Sequence, residues 1–337
     1  MAKLTLGYKA SAEQFAPKDL LEFGVAAERN GFDSVVVSDH YQPWNHTDGH
    51  APHSFTWLAA LGQKTETVKL GTSVVTPTFR YHPAIIAQTM GTLDQLSPGR
   101  VFLGVGTGEA LNEVAVLDIK WPGFKERCGR LRESIELMKQ LWTEDHVSYQ
   151  GEYYQTRDAT VYDKPTGKMP LYIAGAGRQA ALLAGRVADG FICTSGKAWD
   201  LYTETLLPAV KEASDKAGRD YDSIEKLIEM KVSYDKDKAR ALEDTRLWAA
   251  LALTPEQKVQ TEDPREMERL AREMPIEQAA SRWIVSDDPD EQVAKIEPYI
   301  KLGFTHLVFH APGLDQVRFI EQYGRDVLPK LRALGGE

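Results

Sequence analysis

Short apolar runs alternate with segments of helical periodicity along most of the chain. Eight runs are rich in apolar and β-branched side chains, as the buried strands of parallel sheets are. These predicted strands cover residues 4–9, 34–38, 69–76, 100–104, 171–174, 190–194, 227–234 and 305–310. Apolar residues at helical spacing predict helices over residues 17–30, 54–63, 83–95, 122–143, 179–188, 202–217, 291–302 and 316–334.

The alternation of eight strands with helices predicts a parallel sheet that is covered by helices. Eight is also the number of strands that closes such a sheet into a (β/α)8 TIM barrel, which is therefore the predicted fold. A doubly wound open sheet is the alternative.

Four segments lengthen the loops of the predicted barrel, near residues 40–54, 109–122, 147–166 and 235–282. The third contains a predicted β-hairpin that turns at Gln150-Gly151, and the fourth is a charged helical excursion with breaks at Pro255 and Pro264. Because no internal repeat or low-complexity linker divides the sequence, we expect residues 1–337 to form one domain.

The composition argues against several classes of partner. A formal net charge of -9 disfavours a general surface for nucleic acid or acidic membranes. The sequence shows no basic-then-apolar signal at its N-terminus and no apolar run of membrane-spanning length. Cys128 and Cys193 provide no disulfide framework. We therefore expect a cytoplasmic protein without nucleic-acid or membrane partners.

The most informative stretch, residues 94–112, joins a turn, a buried strand and a glycine-rich loop. Ser97-Pro98-Gly99 ends the preceding helix, and Gly106-Thr107-Gly108 removes side chains where the strand ends. Backbone can then approach a flat ligand closely. Glu109 and Asn112 follow directly, so this strand delivers a carboxylate and an amide to a candidate site.

Ligands of such barrels bind at the carboxyl ends of the strands, so the residues that follow each strand are the candidates for chemistry. His40 can exchange a proton near neutral pH, and its neighbour Asp39 is a candidate to orient it. A zinc site among His40, His46, His50 and His53 is disfavoured because their spacing matches no known ligand pattern and no cysteine lies near.

Cations and hydroxyls come from the later part of the chain. The candidates for an oxyanion or phosphate pocket are Thr194, Lys197, Lys231, Lys258 and Arg282. These residues form such a pocket only if the carboxyl ends of strands six and seven and the excursion after strand seven lie together at one rim of the barrel. The sequence has neither a dinucleotide fingerprint nor a Gly-Lys-Ser/Thr phosphate loop, which disfavours an ordinary nicotinamide or ATP enzyme.

Residues 94–108 resemble the signature of the bacterial luciferase-like superfamily of flavin and deazaflavin barrels. More narrowly, residues 7–17, 37–44, 71–80, 105–112, 189–197 and 306–313 resemble the family of F420-dependent glucose-6-phosphate dehydrogenases. The match extends over essentially the whole chain, and the combination of motifs is more specific than any one of them.

The resemblance implies a luciferase-like (β/α)8 barrel with insertions, usually a homodimer, and coenzyme F420 as cofactor. It implies oxidation of glucose 6-phosphate at C1 to 6-phosphogluconolactone. Contacts to F420 are implied for Asp39, Ser73, Val74, Thr76, Thr107, Gly108, Asn112, Ala176 and Gly177. The Ser73-Val74 peptide is expected to be cis. One departure from the family pattern is that Gly175-Ala176-Gly177 alternates where relatives carry paired glycines.

The same resemblance implies roles around the substrate. His40, Trp44 and Glu109 would face the reacting carbon, and Thr194, Lys197, Lys258 and Arg282 would hold the phosphate. Loss of hydride from C1 requires the C1 hydroxyl to lose a proton, while the reduced ring gathers negative charge, so two proton-handling groups are needed. His40 and Glu109 are the available pair, and the sequence leaves open which of them abstracts the proton.

Two other functions compete with this hypothesis. One is another activity of the superfamily, either a flavin monooxygenase or an F420-dependent reductase on a different substrate. The other is a non-catalytic barrel that only binds a flavin-like ligand. The cations after strands six and seven favour a phosphorylated substrate, and His40 with Glu109 favours catalysis.

Overall fold

The structure is a computed structural model that describes residues 3–254, 257 and 262–335. Two features of the sequence analysis, the phosphate contact of Lys258 and the break at Pro255, lie outside the described residues.

The described residues contain nine strands, all paired in parallel. They are β1 (Thr5–Ala10), β2 (Ser34–Val37), β3 (Lys69–Thr72), β4 (Val101–Val105), β5 (Leu171–Ala174), β6 (Gly190–Thr194), β7 (Glu225–Tyr234), β8 (Ile284–Ser286) and β9 (His306–His310). β7 pairs with β6 on one side and with β9 on the other, and β9 pairs with β1. These pairings close an eight-stranded barrel, which confirms the predicted fold and excludes the open sheet.

Inward-facing side chains fill the barrel, so its interior is a packed core. They are Val36, Phe102, Tyr172, Ile192, Leu227 and Val308. The Phe102 ring occupies the space where a side chain of Gly71 would lie, because a Cβ there would be 2.2 Å from its Cζ. The residues that alternate with them along the strands face outward, into a larger core between the barrel and the helices.

Helices follow most strands and cover the outside of the barrel. The first seven are α1 (Pro17–Arg29), α2 (Ser54–Gly62), α3 (Pro83–Leu96), α4 (Ala110–Leu117), α5 (Phe124–Thr143), α6 (Arg178–Val187) and α7 (Leu207–Lys216), the last preceded by a π-helical turn, Leu201–Leu206. The others are α8 (Lys238–Asp244), α9 (Pro264–Arg272), α10 (Ile276–Ala279), α11 (Pro289–Lys301), α12 (Gln316–Asp326) and α13 (Leu328–Leu334), with 3-10 turns at Thr245–Ala252 and Ala280–Arg282. None of the helices in the described ranges is long and apolar enough to cross a bilayer.

Three local predictions differ from the structure. The single closing helix predicted over residues 316–334 is two helices, because Pro329 has no N–H to continue the hydrogen bonding of α12. The predicted hairpin forms only two isolated antiparallel bridges, Val147 with Ala159 and Gln150 with Gln155. The short strand β8 was not predicted, and it pairs with the end of β7 outside the closed barrel.

The insertions pack on one another above the carboxyl ends of the strands. A small apolar cluster joins Leu111 of α4 to Ala249, Ala250 and Leu253, and Trp44 packs against it. The loop after β2 and the excursion after β7 are thereby held next to the start of α4. This packing positions the rim on which the site is built.

A row of polar side chains in contact with one another crosses the barrel at the end away from the rim, where the strands begin. The Ser34 hydroxyl lies 2.7 Å from His306 Nε2, His306 Nδ1 lies 3.6 Å from Glu225, and the Tyr172 hydroxyl donates to Glu225. Burial by itself would raise the pKa of Glu225, but His306 and Tyr172 lower it to about 2. A carboxylate whose pKa is lower in the folded state stabilises the fold above its ordinary pKa.

We predict that Glu225→Gln reduces the free energy of unfolding at pH 7 by roughly 2–3 kcal/mol, because the depressed pKa is lost. The deficit should shrink as pH falls from the ordinary value of 4.5 towards 2, where the wild-type carboxylate is protonated as well. Urea unfolding at several pH values measures this, with the exposed Glu22→Gln as control. A deficit that does not change with pH would contradict the assignment.

Candidate active site

A cavity of about 340 Å³ opens at the carboxyl ends of the barrel strands, a size typical of small-molecule sites. Its wall includes most of the predicted site residues: Asp39, His40, Ser73, Val74, Thr76, Thr107, Gly108, Glu109, Asn112, Ala176, Thr194 and Lys197. The segments after β2 to β6 thus converge on one cavity.

The floor of the cavity is shaped by a non-proline cis peptide between Ser73 and Val74, as the sequence analysis expected. The Lys9 ammonium donates to the Ser73 carbonyl over 2.7 Å, which ties this bend to β1. Lys9 lies within a strand and is buried, so no sequence signal identified it.

Glycines after β4 leave the wall beside this bend without side chains. A Cβ on Gly106 would lie 2.9 Å from Val74 Cγ2, and a Cβ on Gly108 would lie 2.8 Å from Thr76 Cγ2. Gly108 also has a φ of 85°, a conformation that side chains disfavour. Both glycines line the cavity as bare backbone, which a flat ring can approach closely, so the residues present suit a flavin-like cofactor.

His40 is held at both ring nitrogens. Its Nε2 lies 3.1 Å from a carboxylate oxygen of Glu13, and its Nδ1 lies 3.2 Å from both the Gln42 carbonyl and the Asn112 amide nitrogen. An ionised Glu13 accepts a hydrogen bond from Nε2–H, which leaves Nδ1 to accept from Asn112 in the neutral ring. When Nδ1 is protonated, the Gln42 carbonyl can accept from it. His40 can therefore gain or lose a proton without rotating.

Glu13 is the functional residue that the sequence analysis missed. It is buried, and the Ser38 hydroxyl donates to its second oxygen over 2.8 Å. Burial would raise the pKa of Glu13, but the charges of His40 and Lys9 and the bond from Ser38 outweigh burial and lower it. Its position just after β1 was the available signal, because ligands of such barrels bind where the strands end.

Asp39 does not orient His40, so that expectation was wrong. One Asp39 oxygen accepts from Ser54 over 2.6 Å and from Tyr81 over 3.1 Å, and the other accepts from Arg80 over 2.9 Å. Arg80 also binds the buried Glu113 over 3.1 Å. Asp39 lines the cavity, but its carboxylate anchors the segment after β3.

Asn112 supports the loop that carries His40. Its side-chain oxygen accepts from the backbone N–H of Tyr41 over 2.8 Å and of Gln42 over 3.2 Å. Asn112 lines the cavity, yet its hydrogen bonds go to this loop. Contact of Asn112 with a cofactor therefore stays a prediction.

A buried ion network lies beneath the cavity. Glu229 pairs with Lys231 over 2.8 Å, with Lys9 over 3.4 Å and with His310 over 3.4 Å. Burial would raise the pKa of Glu229, but the charges of Lys231 and Lys9 and the contact with His310 lower it well below its ordinary value. Lys231 is only 3% exposed and is absent from the cavity wall. We therefore reassign Lys231 from phosphate ligand to charge partner of Glu229.

Three of the predicted phosphate ligands do come together. Arg282 Nη2 lies 3.4 Å from the Thr194 hydroxyl and 3.3 Å from the Ser195 carbonyl, and Arg282 Nε lies 3.3 Å from the Gly196 carbonyl. Lys197 follows on the same loop. Burial and then the charges of Arg282 and Lys231 lower the pKa of Lys197. Cations that repel one another in this way form a site prepared for an anion.

The remaining predicted residues occupy three different places. Glu109 lies on the cavity wall at the start of α4, with its side chain exposed. The Trp44 ring centre is 6.2 Å from that of His40, but Trp44 lines a smaller neighbouring cavity. Gly177 lies just before α6 and next to Ala176, which lines the main cavity.

Comparison with known proteins gives a consistent result. The family model described as luciferase-like monooxygenase matches residues 2–306. The chain is 62% identical over 331 residues to the F420-dependent glucose-6-phosphate dehydrogenase of Segniliparus rotundus, which covers 98% of this chain and 99% of the relative. A protein of the same name from Nakamurella multipartita is 61% identical over 334 residues, covering 99% and 98%.

Two solved structures share the fold. An F420-dependent secondary alcohol dehydrogenase in complex with an F420-acetone adduct has a TM-score of 0.91 at 33% identity, covering 96% of this chain and 98% of the other. A coenzyme F420 dependent tetrahydromethanopterin reductase from Methanopyrus kandleri has a TM-score of 0.82 at 24% identity, covering 98% and 99%. The likeness to the reductase concerns the fold alone.

We predict that Gly108→Ala lowers the free energy of unfolding by about 1–2 kcal/mol, because a side chain disfavours the positive φ. The added methyl would also crowd Thr76. Thermal unfolding measures the loss, and Gly167→Ala is the control because a Cβ there meets nothing within 4 Å. Equal effects of the two substitutions would refute the proposed strain at Gly108.

Proposed function

The chain belongs to the luciferase-like monooxygenase family and, within it, to the F420-dependent glucose-6-phosphate dehydrogenases, and on this premise we propose how its own residues carry out the reaction. The protein is an oxidoreductase that transfers a hydride from C1 of glucose 6-phosphate to coenzyme F420, giving 6-phosphogluconolactone and reduced F420. When bound, F420 supplies a deazaflavin ring that accepts the hydride.

The glycine-lined cavity is the proposed site of the cofactor ring. Ser73 and Val74 at the cis bend would support one face of the ring, and Gly106 and Gly108 leave the approach open. Thr76, Thr107, Asp39, Asn112 and Ala176 lie on the same wall, and Gly177 lies next to it. The absence of side chains along the glycine strip is what supports this placement.

Arg282, Lys197 and Thr194 form the proposed phosphate site. A dianionic phosphate would relieve the repulsion between Arg282 and Lys197 and accept charge-assisted hydrogen bonds from both. Lys258 is proposed as a further ligand on the grounds of the resemblance. Lys197 and Thr194 line the His40 cavity, and Arg282, which is not on its wall, reaches Thr194. These two cations beside the cavity are the observation that supports a sugar phosphate over an apolar substrate. A bound phosphate holds C1, at the other end of the sugar, near the place proposed for the cofactor ring.

We propose that His40 abstracts the proton of the C1 hydroxyl through Nδ1, whose lone pair the hydroxyl reaches by displacing the Asn112 amide. The Glu13 carboxylate stabilises the imidazolium that results, and the Gln42 carbonyl can accept from its Nδ1–H once the product leaves. Glu109, which also lines the cavity, is the second proposed proton-handling group. Trp44, packed beside His40, is proposed to limit the space next to the reacting carbon.

The alternatives are less well supported. A flavin monooxygenase or an F420-dependent reductase on another substrate would not require the Lys197–Arg282 cluster. A non-catalytic barrel would not require a buried carboxylate behind an oriented histidine. The curated relatives at about 60% identity carry the dehydrogenase name.

We further propose that the protein works as a homodimer of single-domain subunits in the cytoplasm. Ile85 and Leu96 on α3 are 55% and 48% exposed, as apolar side chains at an interface between copies would be in an isolated subunit. Cys128 and Cys193 are free thiols, which is typical of a reducing compartment. Light scattering of the purified protein tests the dimer.

The function is tested most simply by mixing the protein with F420 and a panel of sugars. We expect loss of the absorbance of oxidised F420 with glucose 6-phosphate and little loss with unphosphorylated glucose. Bleaching that is equally fast with both sugars would contradict the role of the cationic cluster.

We predict that His40→Ala lowers kcat by about 10²–10⁴-fold, the usual contribution of a positioned general base, without weakening F420 binding. Glu13→Gln should lower kcat by a smaller factor, because the imidazole remains but loses the charge that stabilises its protonated form. Glu109→Gln should also lower kcat. Steady-state kinetics and fluorescence titration of F420 separate these effects, and full turnover in the His40 variant would refute the assignment.

We predict that Lys197→Ala raises KM for glucose 6-phosphate by about 10- to 100-fold with little change in kcat, because a phosphate contact is made equally before and during reaction. Arg282→Ala should act in the same direction. Lys18→Ala, which removes an exposed cation on α1, is the control. An unchanged KM in the Lys197 variant would remove Lys197 from the phosphate site.

A further inference from the structure

A buried carboxylate on the cavity wall takes no part in holding the phosphate, in supporting the cofactor ring or in moving protons. Glu229 lines the cavity and is 8% exposed. Leu227, two residues earlier on β7, packs inside the barrel. Because every second residue of a strand faces the same side, the side chain of Glu229 also points into the barrel, one layer nearer the rim.

Glu229 lies between the places proposed for the two ends of the substrate. In the register of β6 and β7 it is the partner of Thr194, which belongs to the phosphate site, and neighbouring strands lie about 4.8 Å apart. The Lys9 ammonium lies 3.4 Å from Glu229 Oε2 and 2.7 Å from the Ser73 carbonyl on the cavity floor. A sugar phosphate that reaches from Thr194 to this floor therefore passes Glu229 with the middle of its ring.

The protein contacts of Glu229 leave part of its accepting capacity unused. Oε1 accepts a hydrogen bond from Lys231 over 2.8 Å and lies 3.4 Å from His310 Nδ1. No residue in the ranges 3–254, 257 and 262–335 donates a hydrogen bond to Oε2, since the Lys9 ammonium 3.4 Å away donates to the Ser73 carbonyl. An ionised carboxylate has about four sites for hydrogen bonds, so Glu229 can accept further ones.

The charge state of Glu229 suits this use. Burial would raise the pKa of Glu229, but the charges of Lys231 and Lys9 lower it well below its ordinary value, so the group is ionised at neutral pH. An ionised carboxylate only accepts hydrogen bonds, and the hydroxyls of a sugar donate them. The two lysines also balance its charge against a phosphate bound nearby. Asp39, which is also buried on this wall, already has both oxygens bonded to protein donors.

We propose that Glu229 binds the sugar by accepting hydrogen bonds from its secondary hydroxyls, those on C2, C3 and C4, and thereby selects the hexose. This inference rests on the proposed use of glucose 6-phosphate. The ring oxygen and the esterified C6 oxygen have no proton to donate, and the C1 hydroxyl gives its proton to His40. The hydroxyls of C2 to C4 are therefore the donors that remain for Glu229.

The test measures kcat/KM for F420 reduction with glucose 6-phosphate and with three analogues that lack the hydroxyl at C2, C3 or C4. The variant is Glu229→Gln. Because its amide leaves Lys231 buried without a counter-charge, a second variant, Glu229→Gln/Lys231→Met, removes the pair together. The control is Glu225→Gln, which removes another carboxylate from β7 at the end away from the rim. Fluorescence titration gives the F420 affinity of each protein.

We expect the wild type to use at least one analogue roughly 10- to 100-fold less efficiently than glucose 6-phosphate, the usual effect of losing a hydrogen bond to a charged group. Both Glu229 variants should lose a similar factor with glucose 6-phosphate and little more with that analogue, so that the preference for the hydroxyl disappears. Glu225→Gln should keep the wild-type preference. The affinity for F420 should be unchanged in all variants.

A wild type that uses all three analogues as well as glucose 6-phosphate would overturn the proposal. Equal losses on all four sugars in the Glu229 variants would also overturn it, because the carboxylate would then serve only as a counter-charge. Weaker F420 binding with an unchanged sugar preference would assign Glu229 to the cofactor and overturn it as well. A wild type that does not reduce F420 with glucose 6-phosphate would instead contradict the proposed function, so the two failures are distinguishable.

Discussion

The site depends on the closure of the barrel through β7. This strand is hydrogen-bonded to β6 on one side and to β9 on the other, so strands that are far apart in sequence end at one rim. His40 after β2 and Thr194 at the end of β6 face the same cavity only because the sheet is closed. β7 also carries Glu229, whose contacts with Lys9 of β1 and His310 of β9 join the strands beneath the rim. An open sheet with the same elements would not bring these residues together.

The sequence predicted what depends on local pattern. Alternating apolar runs and helical periodicity identified the eight barrel strands, and the glycine-rich loop after β4 identified one wall of the cavity. The resemblance supplied the cis bend at Ser73, which no propensity predicts. The strand-end rule correctly selected His40, Glu109 and Thr194 as cavity residues.

What the sequence could not predict depends on contacts between distant residues. Glu13 follows β1, and Asp39 directly precedes His40 after β2. Only the folded chain shows that Glu13, which is farther from His40 in sequence, contacts the His40 ring, whereas Asp39 binds Arg80. Lys231 looked like a phosphate ligand because it lies on a late strand, but the burial of Glu229 beside it requires a counter-charge. The pairing of β8 with the end of β7 likewise depends on packing rather than on periodicity.

The central claim is that the rim holds C1 of glucose 6-phosphate against the cofactor ring, so that hydride passes directly from one to the other. The most direct measurement is isotope transfer with glucose 6-phosphate deuterated at C1, followed by mass spectrometry of the reduced cofactor. The account predicts that the deuterium is found on reduced F420 and that none enters from D2O when the sugar is unlabelled. Reduced F420 that carries solvent deuterium and none from C1 would contradict it.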